Sequence, residues 1–342
     1  MTEVTDAVRR SAEPETRAEF DRRVRAQAAA VVRDARAGRL DNRDFAVGLE
    51  LEAYAVDAAG RLASVPRATF AAADCSPELG VHNVEVHTRP DVASDPGFRR
   101  QATELKSALA RVRTALAGAD RRLVLDGMWT VPPPEGTSAY LGDGAVTEGV
   151  FLARRMRPAA RYVALDNEIR ARTDGRIPIG LPGLGEARSI LVESLTTSMQ
   201  PHLQIPTAAD LPRYLNVATR TMGPVLSLAA NSPFLPADCY EGLDAEEVLP
   251  ETPHECRVRV FERSVDSGSR KCRVPGDFES VEDAVERIVA DETLAPALRD
   301  ETADPETDAG DPDTGDRSDA PYADSITEFR RKRGTYWRWV RP

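Results

Sequence analysis

The sequence predicts an α+β fold, an antiparallel or mixed sheet with helices packed outside it, and three observations lead there. Short stretches of two-residue alternation are scattered along the chain without the regular strand–helix rhythm of a doubly wound sheet. Longer stretches with helical spacing separate them. Several of the alternating stretches carry acid, imidazole or amide groups on one face and aliphatic residues on the other, so one side of the sheet packs and the other stays polar. No internal repeat breaks the pattern.

Taken in order, residues 16 to 38 read as a polar amphipathic helix stopped near Gly38. Phe45 to Val56 then alternates as a strand, Gly60 marks a turn, and Leu62 to Val65 offers a hairpin partner. Val81 to Thr88 is a further strand, closed by Arg89-Pro90. Phe98 to Leu116 places Leu105, Leu109, Val112 and Leu116 on one helical stripe. Leu123 to Leu125 reads as a short strand, followed by the loop Val131 to Gly136; residues 172 to 186, rich in Gly and Pro, read as another loop. Ser194 to Ile205 reads as a strand. Ala209 to Ala230 reads as a long helix, entered through Asp210-Leu211-Pro212 and ended by the turn Asn231-Ser232-Pro233. Val258 to Phe261 alternates as a short strand, and Val281 to Leu298 has helical spacing. Residues 300 to 320, crowded with Asp, Thr, Gly and Pro, cannot bury apolar surface and read as an acidic disordered loop. Gly334 to Pro342 holds two of the three tryptophans and reads as a hydrophobic strand.

With 342 residues the chain can bury a large core, and 41% hydrophobic against 30% charged residues mark it as globular. Net charge is −11, and Lys106, Lys271 and Lys332 are the only lysines among 45 basic residues. Such an acidic, lysine-poor surface suits a salt-rich cytoplasm that screens its repulsion; a high-GC genome would also favour Arg over Lys. Either way it lacks the basic stripe a nucleic-acid partner needs. Apolar runs such as Pro224 to Ala230 fall far short of the roughly 20 residues of a membrane span, and the N-terminal Met-Thr-Glu-Val-Thr-Asp has no signal-peptide core. Both point to a cytoplasmic protein. Cys75, Cys239, Cys256 and Cys272 are scattered without a C-x-x-C pair and read as reduced thiols.

Four constellations carry chemistry. In Gly48-Leu49-Glu50-Leu51-Glu52 the two acids share one strand face, about 7 Å apart, where they can hold a hard cation such as Mg²⁺. In Asn83-Val84-Glu85-Val86-His87, Asn83, Glu85 and His87 share a face. In Gln200-Pro201-His202-Leu203-Gln204, Gln200, His202 and Gln204 do the same, and His202 can donate to a phosphate or carboxylate. Each alone is also the ordinary wet face of a half-buried strand, or for His202 a satisfied half-buried histidine. Together they outline a polar funnel suited to a metal–phosphate substrate. The fourth is the basic cluster Arg257, Arg259, Arg263, Arg270, Lys271 and Arg273, whose forks can bind phosphate or pair with neighbouring acids. No phosphate-cradling Gly-x-x-x-x-Gly-Lys loop, Rossmann glycine fingerprint, His-Glu-x-x-His or Gly-x-Ser-x-Gly is present, so any ATP must be held through metals and arginines.

In order, these segments resemble the second family of glutamate–cysteine ligases. Val47 to Glu52 looks like that family's first strand, whose acids bind Mg²⁺ and substrate, and Asn83 to Pro90 like its second, whose acid also ligates metal. Thr197 to Gln204 stands where the family has a His-rich strand facing ATP, reading His-x-Gln where many members have His-x-His. Leu226 to Phe234 is similar to the family's Ala-x-Ala-Asn-Ser-Pro helix end, and Arg257 to Phe261 and Gly334 to Pro342 also have likenesses there. The resemblance covers roughly residues 45 to 342, so the chain is expected to be a single catalytic domain. The family continues past the Trp-Arg-Trp-like segment into a strand with an Arg and Glu pair, whereas this chain stops at Pro342.

The resemblance implies a glutamine-synthetase-like fold, a curved and mainly antiparallel sheet with helices on its outer face. It implies an ATP- and Mg²⁺-dependent ligase that joins the side-chain carboxylate of glutamate to an amine, foremost cysteine, through an acyl phosphate. Glu50, Glu52 and Glu85 would ligate the metal; Glu52, His202 and Arg259 would serve catalysis; Asn83, Gln204, Arg257 and Arg273 would bind substrate or ATP. Expected partners are these small molecules, with no nucleic acid and no membrane, and a homodimer is compatible. The alternative is a non-catalytic relative that binds nucleotide or a γ-glutamyl metabolite.

Overall fold

The computed structural model describes residues 2–265, 271–299 and 320–342. The loop read at 300 to 320, apart from its last residue, and Arg270 lie outside the described residues. Helices α1 (Thr2–Ser11) and α2 (Pro14–Arg36) open the chain. Helix α2 bears out the reading at 16 to 38: Pro14 sits in the first turn, where its missing N–H costs nothing, and Gly38 takes φ +70° past the end.

There follow β1 (Ala46–Val56), α3 (Arg67–Ala73), β2 (Ser76–Pro77), β3 (Asn83–His87), β4 (Asp91–Val92), α4 (Asp95–Ala117) and β5 (Arg122–Val124). Next come α5 (Thr137–Gly142), the hairpin of β6 (Gly144–Thr147) with β7 (Val150–Ala153), α6 (Ala160–Arg172), and the hairpin of β8 (Ile177–Leu181) with β9 (Leu184–Ala187). A 3-10 turn (Ile190–Leu195) leads into β10 (Met199–Gln204), then α7 (Leu211–Ala229), α8 (Ala245–Glu251), α9 (Cys256–Ser264), α10 (Val281–Ala290), α11 (Ala320–Ser325) and α12 (Thr327–Gly334).

The main sheet is antiparallel in every pairing, with β1 at its centre. Strand β10 lies on one side of β1 and β3 on the other, β2 follows β3, and β4 and β5 pair with the two ends of β1. The expected α+β class therefore holds. On the outer face Ala53, Ala55, Val84 and Val86 pack against Ala108, Leu109, Val112 and Leu116 of α4. On the inner face Tyr54 and Val56 join the largest core, with Met128, Trp129, Val163 and Ile169. A third core holds Phe20, Val24 and Ala28 of α2 against Val285 and Ile288 of α10 and Phe329 of α12. Among the described residues no helix is long and apolar enough to cross a membrane, and all four cysteines are free thiols.

Several local readings are corrected. Residues 172 to 186 are not a plain loop: Ile177, Ile179 and Leu181 bury alternately along β8, while Gly180 and Gly183 take the positive φ that lets the hairpin kink and turn. Val258 to Phe261 is helical within α9, because Cys256, Val260 and Ser264 bury at four-residue spacing behind the Glu255 cap. The strand expected from Ser194 begins only at Met199, after the 3-10 turn. The helix expected to Leu298 ends at Ala290, and Leu294 and Leu298 reach the core from irregular backbone beyond it. Leu62 makes only a single bridge to Val56, and Gly334 to Pro342 forms no strand.

Candidate active site

Antiparallel register brings the predicted polar faces together. Glu52 of β1 stands opposite Glu85 of β3, and Glu50 stands between His87 of β3 and Gln200 of β10, with His202 opposite Gly48. Directly opposed residues share a face, so Glu50, Glu52, Glu85, Asn83, His87, Gln200, His202 and Gln204 all project to the same side of the sheet. The aliphatic residues between them, Leu51, Ala53, Val84 and Val86, turn to the α4 core.

The acids lie deep. Glu85 is 3% and Glu50 7% exposed, beneath a more open His202 whose Nε2 is 3.0 Å from Glu50 Oε1. Glu52 is held at both oxygens: the Ser198 N–H donates to Oε2 at 2.8 Å and Gln200 Nε2 to Oε1 at 3.3 Å. Burial first, then the nearby charge of Glu78, pushes both the Glu52 and Glu85 carboxyls well above the usual carboxylate range. His87 Nε2 is 2.9 Å from Ser76 Oγ and 3.9 Å from Glu85 Oε2, and burial lowers its affinity for a proton. Its Nδ1 is buried with no hydrogen-bond partner among the described residues.

Two acids escaped the sequence reading. Glu78, just after β2, accepts from its neighbour Leu79 N–H at 2.8 Å and from Tyr162 Oη at 3.2 Å, and its charge acts on Glu52, Glu85 and Glu193. Glu193 is pushed up to about 7 by burial, while Ser264 Oγ donates to it at 2.6 Å. Glu78 lies in a short irregular stretch, so no periodicity marked it. Glu193 lies in the 3-10 turn, one residue before the point where the strand was expected to begin.

The remaining predicted residues are less central. Asn83 faces the acids, but its Nδ2 donates to Ser194 O at 3.2 Å and its Oδ1 accepts from Gly80 N–H at 3.1 Å, so both ends serve the fold. Gln204 is exposed at the far end of β10 and donates to Asp44 O at 3.3 Å. Arg257 is turned inward onto Glu255, Asn231 and Thr197. Arg259 is exposed on α9 near Gly180 of the β8–β9 hairpin, and Arg273 pairs with Glu262 at the surface beside Trp339. Among the described residues, none of the contacts of Arg259 and Arg273 reaches the sheet acids. Two surface hollows, about 480 Å³ around Arg89, Arg99 and Arg100 and about 560 Å³ around Arg17, Asp21 and Arg172, lie apart from these acids.

Crowded carboxylates are hard oxygen donors, and Glu52 and Glu85, raised in proton affinity first by burial and then by neighbouring acids, are matched in chemistry to a small divalent cation; the imidazole Nδ1 of His87, without a partner among the described residues, adds a further donor beside them. Among the described residues no three His, Cys, Asp or Glu side chains already stand in a metal-holding group, so the carboxylates would have to turn toward a shared ion.

Comparison with known proteins gives one family. Residues 46–342, nearly the whole chain, match glutamate-cysteine ligase family 2. No curated protein sequence matches the chain.

Proposed function

Because the chain belongs to glutamate-cysteine ligase family 2, we propose that it is an ATP-dependent ligase joining the side-chain carboxylate of glutamate to an amine, foremost cysteine. The observation that carries this reading is the pairing of Glu52 with Glu85 across β1 and β3, with His202 on Glu50 from the other flank. Glu50, Glu52 and Glu85 would hold Mg²⁺, which when bound would neutralise the phosphate charge of ATP. His202, at the open edge of the acids, would contact a phosphate oxygen, with Arg259 and Arg273 supplying forks from the α9 side. Gln204 would meet substrate at the end of β10, while Asn83 holds the β3 entry in place.

In this reaction a carboxylate oxygen of glutamate attacks the γ-phosphorus, the bond to the β-phosphate oxygen breaks and ADP leaves. The amine nitrogen then attacks the acyl carbon, phosphate departs, and the nitrogen loses a proton to give the amide. The protein's part is orientation and charge placement, with no covalent enzyme intermediate. Such chemistry belongs in the cytoplasm, where ATP and glutamate are.

The test is ADP release with glutamate and a panel of amines at several salt concentrations. Glutamate with cysteine should release ADP, and Glu50→Gln should abolish it while the circular dichroism spectrum and melting temperature stay near wild type. Absence of ADP with every amine would sink the ligase reading. A second reading, nucleotide or metabolite binding without turnover, is favoured by the acids not being gathered into a metal-holding group among the described residues. Calorimetric ATP binding with no ADP formed would select it.

A further inference from the structure

Arg257 sits in the first turn of α9, half-buried, and its fork is turned onto neighbouring side chains and backbone. Nε donates to Glu255 Oε1 at 2.8 Å and Nη2 to Glu255 Oε2 at 2.7 Å, a bidentate pair with the helix's own cap residue. Nη2 also donates to Asn231 Oδ1 at 3.1 Å, and Nη1 donates to the Thr197 carbonyl at 2.9 Å. A guanidinium so engaged has little left to offer a phosphate.

The last of these contacts leads to the acids. The Thr197 carbonyl and the Ser198 N–H belong to one planar peptide group. Arg257 holds its oxygen, and its N–H donates to Glu52 Oε2 at 2.8 Å. Cation and carboxylate therefore occupy opposite ends of a single amide dipole, and a charge-assisted bond at the oxygen makes the N–H a stronger donor. The two flanking peptides are pinned as well: Thr197 N–H donates to Gly127 O at 3.0 Å, and Glu52 N–H donates to Ser198 O at 3.0 Å. Space is tight around the fork. A Cβ built on Gly127 would lie 2.6 Å from Asn231 Oδ1, 2.5 Å from Ser232 Oγ and 3.0 Å from Arg257 Cζ, so only glycine lets these groups close on one another.

We propose that Arg257 is a positioning residue, fixing the direction of the Glu52 carboxylate through the Thr197–Ser198 peptide. This rests on the ligase reading for its kinetic consequence, but the relay itself is a property of the fold. Loss of the fork frees the peptide to rotate, the Ser198 N–H leaves Glu52, and the carboxylate no longer presents its second oxygen in a fixed direction.

The experiment uses the full chain with Arg257→Gln, and with Arg257→Lys in case the first does not fold. Three measurements are made: amide hydrogen exchange at Ser198, Mn²⁺ binding to the protein alone, and steady-state ADP release. Exchange at Ser198 should quicken by about tenfold or more, and Mn²⁺ affinity and kcat should each fall by about 10- to 100-fold, the range for lost outer partners of a metal ligand. KM for ATP should stay within about threefold, and added guanidinium should restore part of kcat. A raised KM for ATP with kcat preserved would mean direct phosphate contact and overturn the proposal, as would unchanged Ser198 exchange and Mn²⁺ affinity in a folded variant. If wild type releases no ADP, the ligase reading fails, while Ser198 exchange and Mn²⁺ binding still decide the relay.

Discussion

His82 shows at the scale of one residue how geometry fixes a protonation state. It is fully buried, and its Nε2 lies 2.9 Å from the Ser194 carbonyl, which can only accept; Nε2 therefore carries the proton. Nδ1, 2.7 Å from Tyr140 Oη, must then accept from the hydroxyl. The ring is neutral, and burial pushes its pKa down to about 4. Unfolded, the same imidazole titrates near 6.5. Above pH 6.5 it is neutral in both states and costs nothing. As pH falls from about 6.5 to 4, the unfolded chain binds a proton that the folded one refuses, and stability drops by up to about 3 kcal/mol. The buried acids with raised pKa oppose this slope, so the comparison is between variants: urea titrations should show wild type losing more stability from pH 7 to pH 4.5 than His82→Gln, whose amide makes the same two bonds without a proton to gain. Equal losses would refute the assignment. No neighbouring pattern marked His82 in the sequence, whereas the shared face of Glu50, Glu52, Glu85 and His202 was legible because two-residue alternation sets the side of the sheet each one takes. Asn83 was legible as to face but not as to role, since its partners Gly80 and Ser194 are set by tertiary folding.

Among the elements, those whose period is unambiguous were readable, and those whose period is shared between helix and strand were not. The alternation of Phe45 to Val56 and the i, i+4 stripe of Leu105, Leu109, Val112 and Leu116 each admit one answer. Arg257-Val258-Arg259-Val260 alternates like a strand, yet forms the helix α9 because Glu255 caps it and Cys256 and Val260 find the largest core. In the stretch 172 to 186 the Gly and Pro content hid the buried alternation of Ile177, Ile179 and Leu181. Caps, by contrast, are local and predictive. Ser280 Oγ accepts from Asp283 N–H at 3.0 Å at the start of α10, whose Val285 and Ile288 close on α2. Ser280→Ala removes that acceptor, and the expected loss is about 1 kcal/mol, with Ser280→Asp near neutral. A lower urea midpoint at unchanged slope is the sign to seek; no shift with Ala would mean that α10 draws its start from tertiary contacts alone.

Across the whole molecule, a net charge of −11 with three lysines makes the surface a field of acids and arginines, and the structure sharpens that asymmetry by burying two of the three. Lys271 is 1% and Lys332 2% exposed. Both converge on Asp291 at the end of α10: Lys271 Nζ donates to its carboxylate, Arg338 Nη2 does so at 3.1 Å, and Lys332 Nζ donates to its carbonyl and to Thr293 Oγ1 at 2.7 Å. This buried charged node ties α10, α12 and the segment before Pro342 together, and removing the Asp291 carboxylate would take away the counter-charge of the buried Lys271. Burial also lowers the pKa of Lys332 to about 8, so near that pH about half of its amine is unprotonated and nucleophilic wherever a reagent reaches it. Reactivity and access therefore point in opposite directions, and an amine-acylating reagent at pH 8 separates them. In the native protein the exposed Lys106 should be the only side chain acylated quickly. Lys271 and Lys332 should react only at the rate at which the structure opens, then at full speed once denaturant is added. Peptide mapping by mass spectrometry reads all three sites at once. Early labelling of Lys332 in native conditions would mean that the node around Asp291 opens locally, and that the end of the chain is not held by it.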